Sequence, residues 1–209
     1  MMVIGITGGV GSGKSTITGI LHEKYGYLVL RTDDMAKELE KPGHAVYDEL
    51  VRAFGDGILQ ETGQAGQRPI DKTAFAALIY SDPEAMERAE EIIHPATWSW
   101  CEERIAKQRA EKGAGETRIV VESALPCGRF KRMCDEIWFV YAETEIRIGR
   151  LMPSRGYSRE KCESVIAEQI SDEEFISYAD YIIDNSGDLE ETAERVEELL
   201  CVTGREERL

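Results

Sequence analysis

The run Gly8-Gly-Val-Gly-Ser-Gly-Lys14-Ser15 constrains this chain more than any other stretch. It fits the pattern of a glycine, four residues, then Gly-Lys-Ser or Gly-Lys-Thr. Met2 to Thr7 before it is an apolar run of strand length. After it, Ile17, Ile20, Leu21 and Lys24 repeat at helical spacing. Strand, glycine loop and helix in that order are the context in which such a run cradles phosphates. Glycines let backbone N–H groups curl around phosphate oxygens, and the helix start adds a positive dipole end. Gly9, Val10, Gly11, Ser12 and Gly13, with Lys14, Ser15 and Thr16, are therefore the predicted nucleoside triphosphate contacts. Lys14 supplies a point charge for the β- and γ-phosphates, and the Ser15 hydroxyl is a ligand for Mg²⁺.

At 209 residues one α/β domain with insertions is expected, with a core of ordinary size. No apolar run is long enough to cross a bilayer and no secretory signal pattern opens the chain, so a cytoplasmic protein without a membrane partner is expected. The net charge of −15 argues against a nucleic-acid partner, because phosphate neutralisation drives such binding. It also means that an ATP site must gather its cations locally. The five cysteines contain no C-x-x-C pair, which fits reduced thiols rather than zinc.

Tyr27 to Leu30 reads as a second strand, ending in Arg31-Thr-Asp33-Asp34. In a doubly wound sheet the carboxyl ends of the strands line the ligand crevice, so an acid here can face the phosphates. Each of Asp33 and Asp34 has two readings, a helix cap or a chemical role. From Met35 to Lys112 the chain reads as mostly helical. Asp71 is a predicted cap for Lys72 to Tyr80, and Pro83 starts a helix that reaches His94-Pro95, followed by helix from Ala96 to Lys112. Glycines 113 and 115 are expected to end it, and Glu61 to Gln67 reads as a polar loop. So long a helical stretch suggests an inserted layer that selects the substrate. His94 either terminates a helix or touches substrate.

Arg118 to Val121 reads as a buried strand with Glu122 at its end, either a plain polar terminus or a carboxylate on the metal side. Glu136 to Tyr141 is the next strand. Then Arg147, Arg150, Arg155, Arg159 and Lys161 form the most basic part of an acidic chain. They are either a solvated face or a lid whose arginines clamp the transferring phosphoryl group. Pro153-Ser154 is expected to break the first helix of this part. Ser171 to Glu174 and Asp188 to Glu191 read as capping boxes. Tyr181 to Ile183 is a last short strand, and Val202 to Leu209 a frayed tail.

Taken together, several blocks resemble the dephospho-CoA kinase family. They are Ile6 to Thr16, the acid Asp33 followed by Met35-Ala36, Phe54-Gly55, Ile93-His94-Pro95, Gln169, and Ala179-Asp180-Tyr-Ile-Ile-Asp-Asn185-Ser-Gly187. The resemblance implies an α/β P-loop NTPase fold, a parallel sheet core flanked by helices, with an inserted helical substrate region and a lid. Residues 1–34 and 116–209 would be the nucleotide-binding core, about 35–115 the acceptor-binding insertion, and about 144–170 the lid, within one kinase unit. It implies transfer of the ATP γ-phosphoryl group to the ribose 3′-hydroxyl of dephospho-CoA, with Mg²⁺. By position Asp33 matches the catalytic base and an acceptor contact, Lys14 and Ser15 the phosphate and Mg²⁺ residues, Arg150 a lid arginine, and Asn185 the loop bordering adenine. Lys72 and His94 fall on the acceptor side. Rivals are a kinase for another small hydroxyl or nucleotide acceptor, and a nucleotide-dependent switch protein.

The chain also departs from the family pattern. Arg31 stands where an acid is frequent, and Glu122-Ser-Ala-Leu-Pro126 replaces Asp-x-Pro-Leu-Leu, with Glu122 as the candidate metal-side carboxylate. Asp71-Lys72 replaces Asp-Arg, and the second lid arginine, Arg155, is displaced by one place.

Overall fold

The computed structural model describes residues 2–62, 68–112 and 117–202. The polar loop through 63–67, the glycines expected to end the long helix, and the tail 203–209 lie outside the described residues. By its internal contacts the chain forms two compact units, Met1–Leu30 with Ile105–Leu209, and Arg31–Arg104.

In the first unit β1 (Met2–Thr7) leads into α1 (Lys14–Tyr25) and β2 (Leu28–Arg31), and β2 runs into the unit boundary. The chain returns to this unit late in α5 (Pro83–Lys112) and continues through β3 (Arg118–Glu122), α6 (Gly128–Met133), β4 (Glu136–Tyr141), α7 (Thr144–Arg155), α8 (Arg159–Ala167), α9 (Asp172–Tyr178), β5 (Tyr181–Asp184) and α10 (Leu189–Val202). The strands form one five-stranded sheet in the order β2-β3-β1-β4-β5. The β1 strand pairs parallel with β3 and β4, and β4 parallel with β5. Every residue of β1 is buried, and β4 is buried through Val140, as expected of central strands covered on both faces. The chain leaves β1 toward one side of the sheet and β4 toward the other. The loop after β1 therefore opens at the switch point, where ligands bind in such sheets.

The core of this unit joins Ile4, Ile6, Ile17, Leu21, Val120, Trp138, Val140 and Val196. Each such side chain contributes roughly 1.5–3 kcal/mol on burial. Acids satisfy strand amides at the opposite end of the sheet. The Asp135 carboxylate accepts from Val3 N at 2.7 Å and Asp180 from Ile137 N at 2.8 Å. Asp180, part of the motif that carried the resemblance, thus has a sheet-holding role here.

The second unit holds α2 (Thr32–Leu39), α3 (Ala45–Phe54), a short 3₁₀ turn (Asp56–Ile58), α4 (Lys72–Ser81) and most of α5. Val46, Tyr47, Leu50, Ile58, Ile70, Phe75 and Ala89 form its own core, with Phe54 and Phe75 edge to face at 5.5 Å. Asp71 caps α4 by accepting from Thr73 N at 2.9 Å and Ala74 N at 3.1 Å.

Three local expectations are corrected. The α2 helix starts at Thr32, so Asp33 and Asp34 sit inside its first turn and neither caps it. Both favour that turn through the helix dipole instead. The α5 helix passes through His94-Pro95 without ending, so His94 is an exposed mid-helix residue and not a terminator. Likewise α7 continues through Pro153 to Arg155 and stops at Gly156, whose φ of 66° is left-handed. A proline this near the end costs one backbone bond, and the Ser154 hydroxyl donates to the Arg150 carbonyl at 2.5 Å.

Candidate active site

The phosphate loop lies between the end of β1 and the start of α1. Gly13 occupies the cap position of α1 with φ 94° and offers no side-chain cap. The first turn of α1 holds no acid, although the chain is strongly acidic. With no side-chain cap and no acid of its own, the helix start presents its positive dipole end to the loop, which is what a phosphate needs. A Cβ at residue 13 would collide with the Asn185 amide, so the loop can pass that close only with glycine there. The Lys14 ammonium donates to the Gly8 carbonyl at 2.7 Å and the Gly9 carbonyl at 3.2 Å, which holds its charge over the loop.

Glu122 reaches the loop through strand register. In the parallel β1–β3 ladder it pairs with Ile6, one residue before the end of β1. Its Oε1 accepts from the Ser15 hydroxyl at 3.2 Å and its Oε2 from the Thr18 hydroxyl at 3.0 Å. The reading of Glu122 as an idle strand terminus is thus replaced by direct contact with the loop. Thr18, fully buried one turn into α1, is a partner that sequence reasoning missed. A hydroxyl next to a carboxylate is a hard oxygen donor set of the kind that suits Mg²⁺.

On the other flank Asn185, 3% exposed, follows β5 and fixes the loop's second half. Its Nδ2 donates to the Ser12 carbonyl at 2.7 Å, and its Oδ1 accepts from Thr192 at 2.6 Å. Arg150 donates to the Ser12 carbonyl at 3.3 Å and to the Asn185 carbonyl at 2.8 Å. Arg155 is exposed at the end of α7, five positions on, and so lies about 140° around the helix from Arg150.

The remaining basic residues divide in a way the charge run did not suggest. Arg159 pairs at the surface with Glu145, and with Glu163 at 2.9 Å. Arg147 is buried at 7% exposure and bonds to Val10 and Gln169. Ile148, Leu151 and Cys162 pack with Val10, Tyr157 and Ile166, so α7 and α8 share an apolar core with the loop itself.

In the second unit a groove of about 670 Å³ is lined by Asp34, Lys37, Glu40, Lys41, Ile70 and Lys72, among others. Lys72 stands at the first position of α4, on the groove wall. Asp33 and His94 are exposed and are not among the residues lining it.

The chain as a whole is similar to known proteins. The family model for dephospho-CoA kinase matches residues 2–191. A dephospho-CoA kinase of Geobacter sulfurreducens is 37% identical over 199 residues, which cover 95% of this chain and 97% of the relative. One from Aquifex aeolicus is 37% identical over 201 residues, covering 95% and 96% of the two chains. A solved structure of a Thermus thermophilus protein superposes with a TM-score of 0.76 at 28% identity, over 97% of each chain. With a family model spanning nearly the whole sequence and such relatives aligned end to end, the chain belongs to the dephospho-CoA kinase family.

Proposed function

We propose that the protein transfers the γ-phosphoryl group of ATP to the ribose 3′-hydroxyl of dephospho-CoA, giving CoA and ADP in the last step of CoA synthesis. The observation that carries this reading is the uncapped, acid-free start of α1 with Lys14 over the loop, in a chain of this family. An ATP-dependent kinase is the activity the family membership brings, rather than a nucleotide switch.

The N–H groups of Gly11, Gly13 and Ser15, with the Lys14 ammonium, bind the β- and γ-phosphates. Asn185 fixes the Ser12 segment of that loop. Ser15 and Glu122 are the residues that would hold Mg²⁺. When bound, it supplies positive charge to the phosphate oxygens. Asp33 orients the acceptor hydroxyl and takes its proton. The hydroxyl oxygen forms the new bond to the γ-phosphorus as the bond to the bridging oxygen breaks, and the electron pair leaves with ADP. Arg150 and Arg155 supply cationic charge for the transferring group. An aspartate is a weak base for a ribose hydroxyl, so positioning contributes more than proton removal. Lys72, on the groove wall of the second unit, meets an anionic part of the acceptor, and His94 is a second acceptor contact. A sequence whose cysteines form no C-x-x-C pair fits work in a reducing cytoplasm.

The direct test is ATP-dependent conversion of dephospho-CoA, followed by product mass and by the position of the new phosphate. A single added phosphate on the 3′-oxygen is expected, and Lys14→Ala should abolish it. Phosphate on another hydroxyl, or transfer only to other acceptors in a panel, overturns the acceptor assignment.

A further inference from the structure

Both polar groups of the Val10 backbone are held by one pair of distant side chains. The Gln169 Oε1 accepts from Val10 N at 2.9 Å, and Arg147 Nε donates to the Val10 carbonyl at 2.9 Å. The two side chains are joined to each other, with Arg147 Nη2 donating to the same Gln169 oxygen at 2.7 Å. The guanidinium lies so close to Gly9 that a Cβ there would collide with Nη2. Gln169 sits two residues beyond the end of α8, where its half-buried amide is outside the helix. Burial lowers the pKa of Arg147, and the charge of Asp172 opposes that shift. The long cationic side chain is thus spent on the loop's own carbonyl and a neutral amide.

We propose that Arg147 and Gln169 are positioning residues that hold Gly9 and Val10 in their nucleotide-binding shape before nucleotide arrives. The proposal rests on the reading of Gly8 to Ser15 as the ATP site. A glycine-rich loop loses much conformational freedom when it wraps a phosphate. A loop already fixed by folding does not lose it again on binding. The pair therefore acts on nucleotide affinity, for ATP and ADP alike, since the two share the β-phosphate. A lid arginine that clamps only the transferring group would act on turnover instead.

The test compares full-length Gln169→Met with Gln169→Glu. Methionine keeps the length and removes the acceptor, whereas glutamate keeps an acceptor oxygen for both donors. Calorimetric Kd values for ATP and ADP, kcat at saturating substrates, and a thermal melt are measured for each. For Gln169→Met both Kd values should rise about tenfold, or about 1.4 kcal/mol, with kcat within about threefold of the wild type. Gln169→Glu should hold both affinities within about threefold. Should Gln169→Met not fold, Arg147→Lys carries the same test, because a point charge serves Val10 or Gln169 but not both. Unchanged nucleotide affinity in folded Gln169→Met overturns the proposal. So does a fall in kcat alone, or an equal loss in the methionine and glutamate variants. A wild-type protein that binds neither nucleotide removes the ATP-site reading beneath the proposal. Wild-type binding with unaltered Gln169→Met affinity removes only the brace.

Discussion

Glu122 and Ser15, far apart in sequence, meet with the serine hydroxyl 3.2 Å from the carboxylate, because β1 and β3 pair in a register that sets Ile6 opposite Glu122. The second carboxylate oxygen is bonded to Thr18. The acid is thus fixed from two sides beside the hydroxyl proposed to bind Mg²⁺.

Glu122→Gln keeps the shape and removes the charge. We predict a rise of about tenfold or more in the Mg²⁺ concentration needed for half-maximal rate, from loss of one charged partner. A Mg²⁺ titration of initial rates checks this, and an unshifted curve would show that Glu122 acts only as a hydrogen-bond acceptor.

Asp33 is exposed in the first turn of α2 and caps nothing. Its replacement by asparagine should therefore cost little stability. Turnover should fall by about two orders of magnitude or more, with the Kd for ATP within a few-fold. Steady-state kinetics beside calorimetry separates these effects. Near-normal turnover would rule out Asp33 as the base.

Asn185→Asp replaces the amide donor that faces the Ser12 carbonyl with an oxygen. Two acceptors then confront each other in a buried place, for a loss of about 1–3 kcal/mol. Urea melts should show that loss, together with weaker ATP binding. An unchanged midpoint would mean that the loop finds another donor for Ser12.

Glu40 lies on the wall of the groove in the second unit, and burial raises its pKa against the pull of Lys72 and Lys37. A carboxyl whose folded-state pKa is raised binds its proton more tightly in the native chain. Its contribution to stability is present at low pH and is lost as pH rises through the folded pKa. Glu40→Gln should raise Tm at about pH 7, with the gap closing as pH falls. Paired thermal melts across pH provide the check, and a gap that widens in acid contradicts this sign.

The groove also offers a test of the acceptor side. Lys72→Ala should raise KM for dephospho-CoA about tenfold while KM for ATP stays within about twofold, since the lysine lines the groove. Equal changes in both constants would place Lys72 outside acceptor binding.

Features with a local cause were legible in the sequence. The phosphate loop announces itself because glycine spacing, Lys14 and Ser15 are contiguous and the flanking strand and helix have their own periodicities. Asp71, Ser171 and Asp188 cap where they were expected to, since a cap bonds to amides two or three residues away. The helix start at Thr32, the unbroken turn at His94 and the continuation through Pro153 differ from the local signals. Proline and acid signals are weak priors that tertiary packing can override.

What only the tertiary structure decided is who meets the loop. The register that sends Glu122 to Ser15, the inward turn of Arg147 to Val10, and the reach of Asn185 to Ser12 each join residues more than a hundred positions apart. No periodicity encodes such pairs. Strand register and helix rotation choose them, and both follow from how the whole core packs. The basic run in α7 and α8 shows this most clearly. Its charges are close together in sequence, yet burial on one face of α7 takes Arg147 to the loop, and Arg159 is left in surface ion pairs.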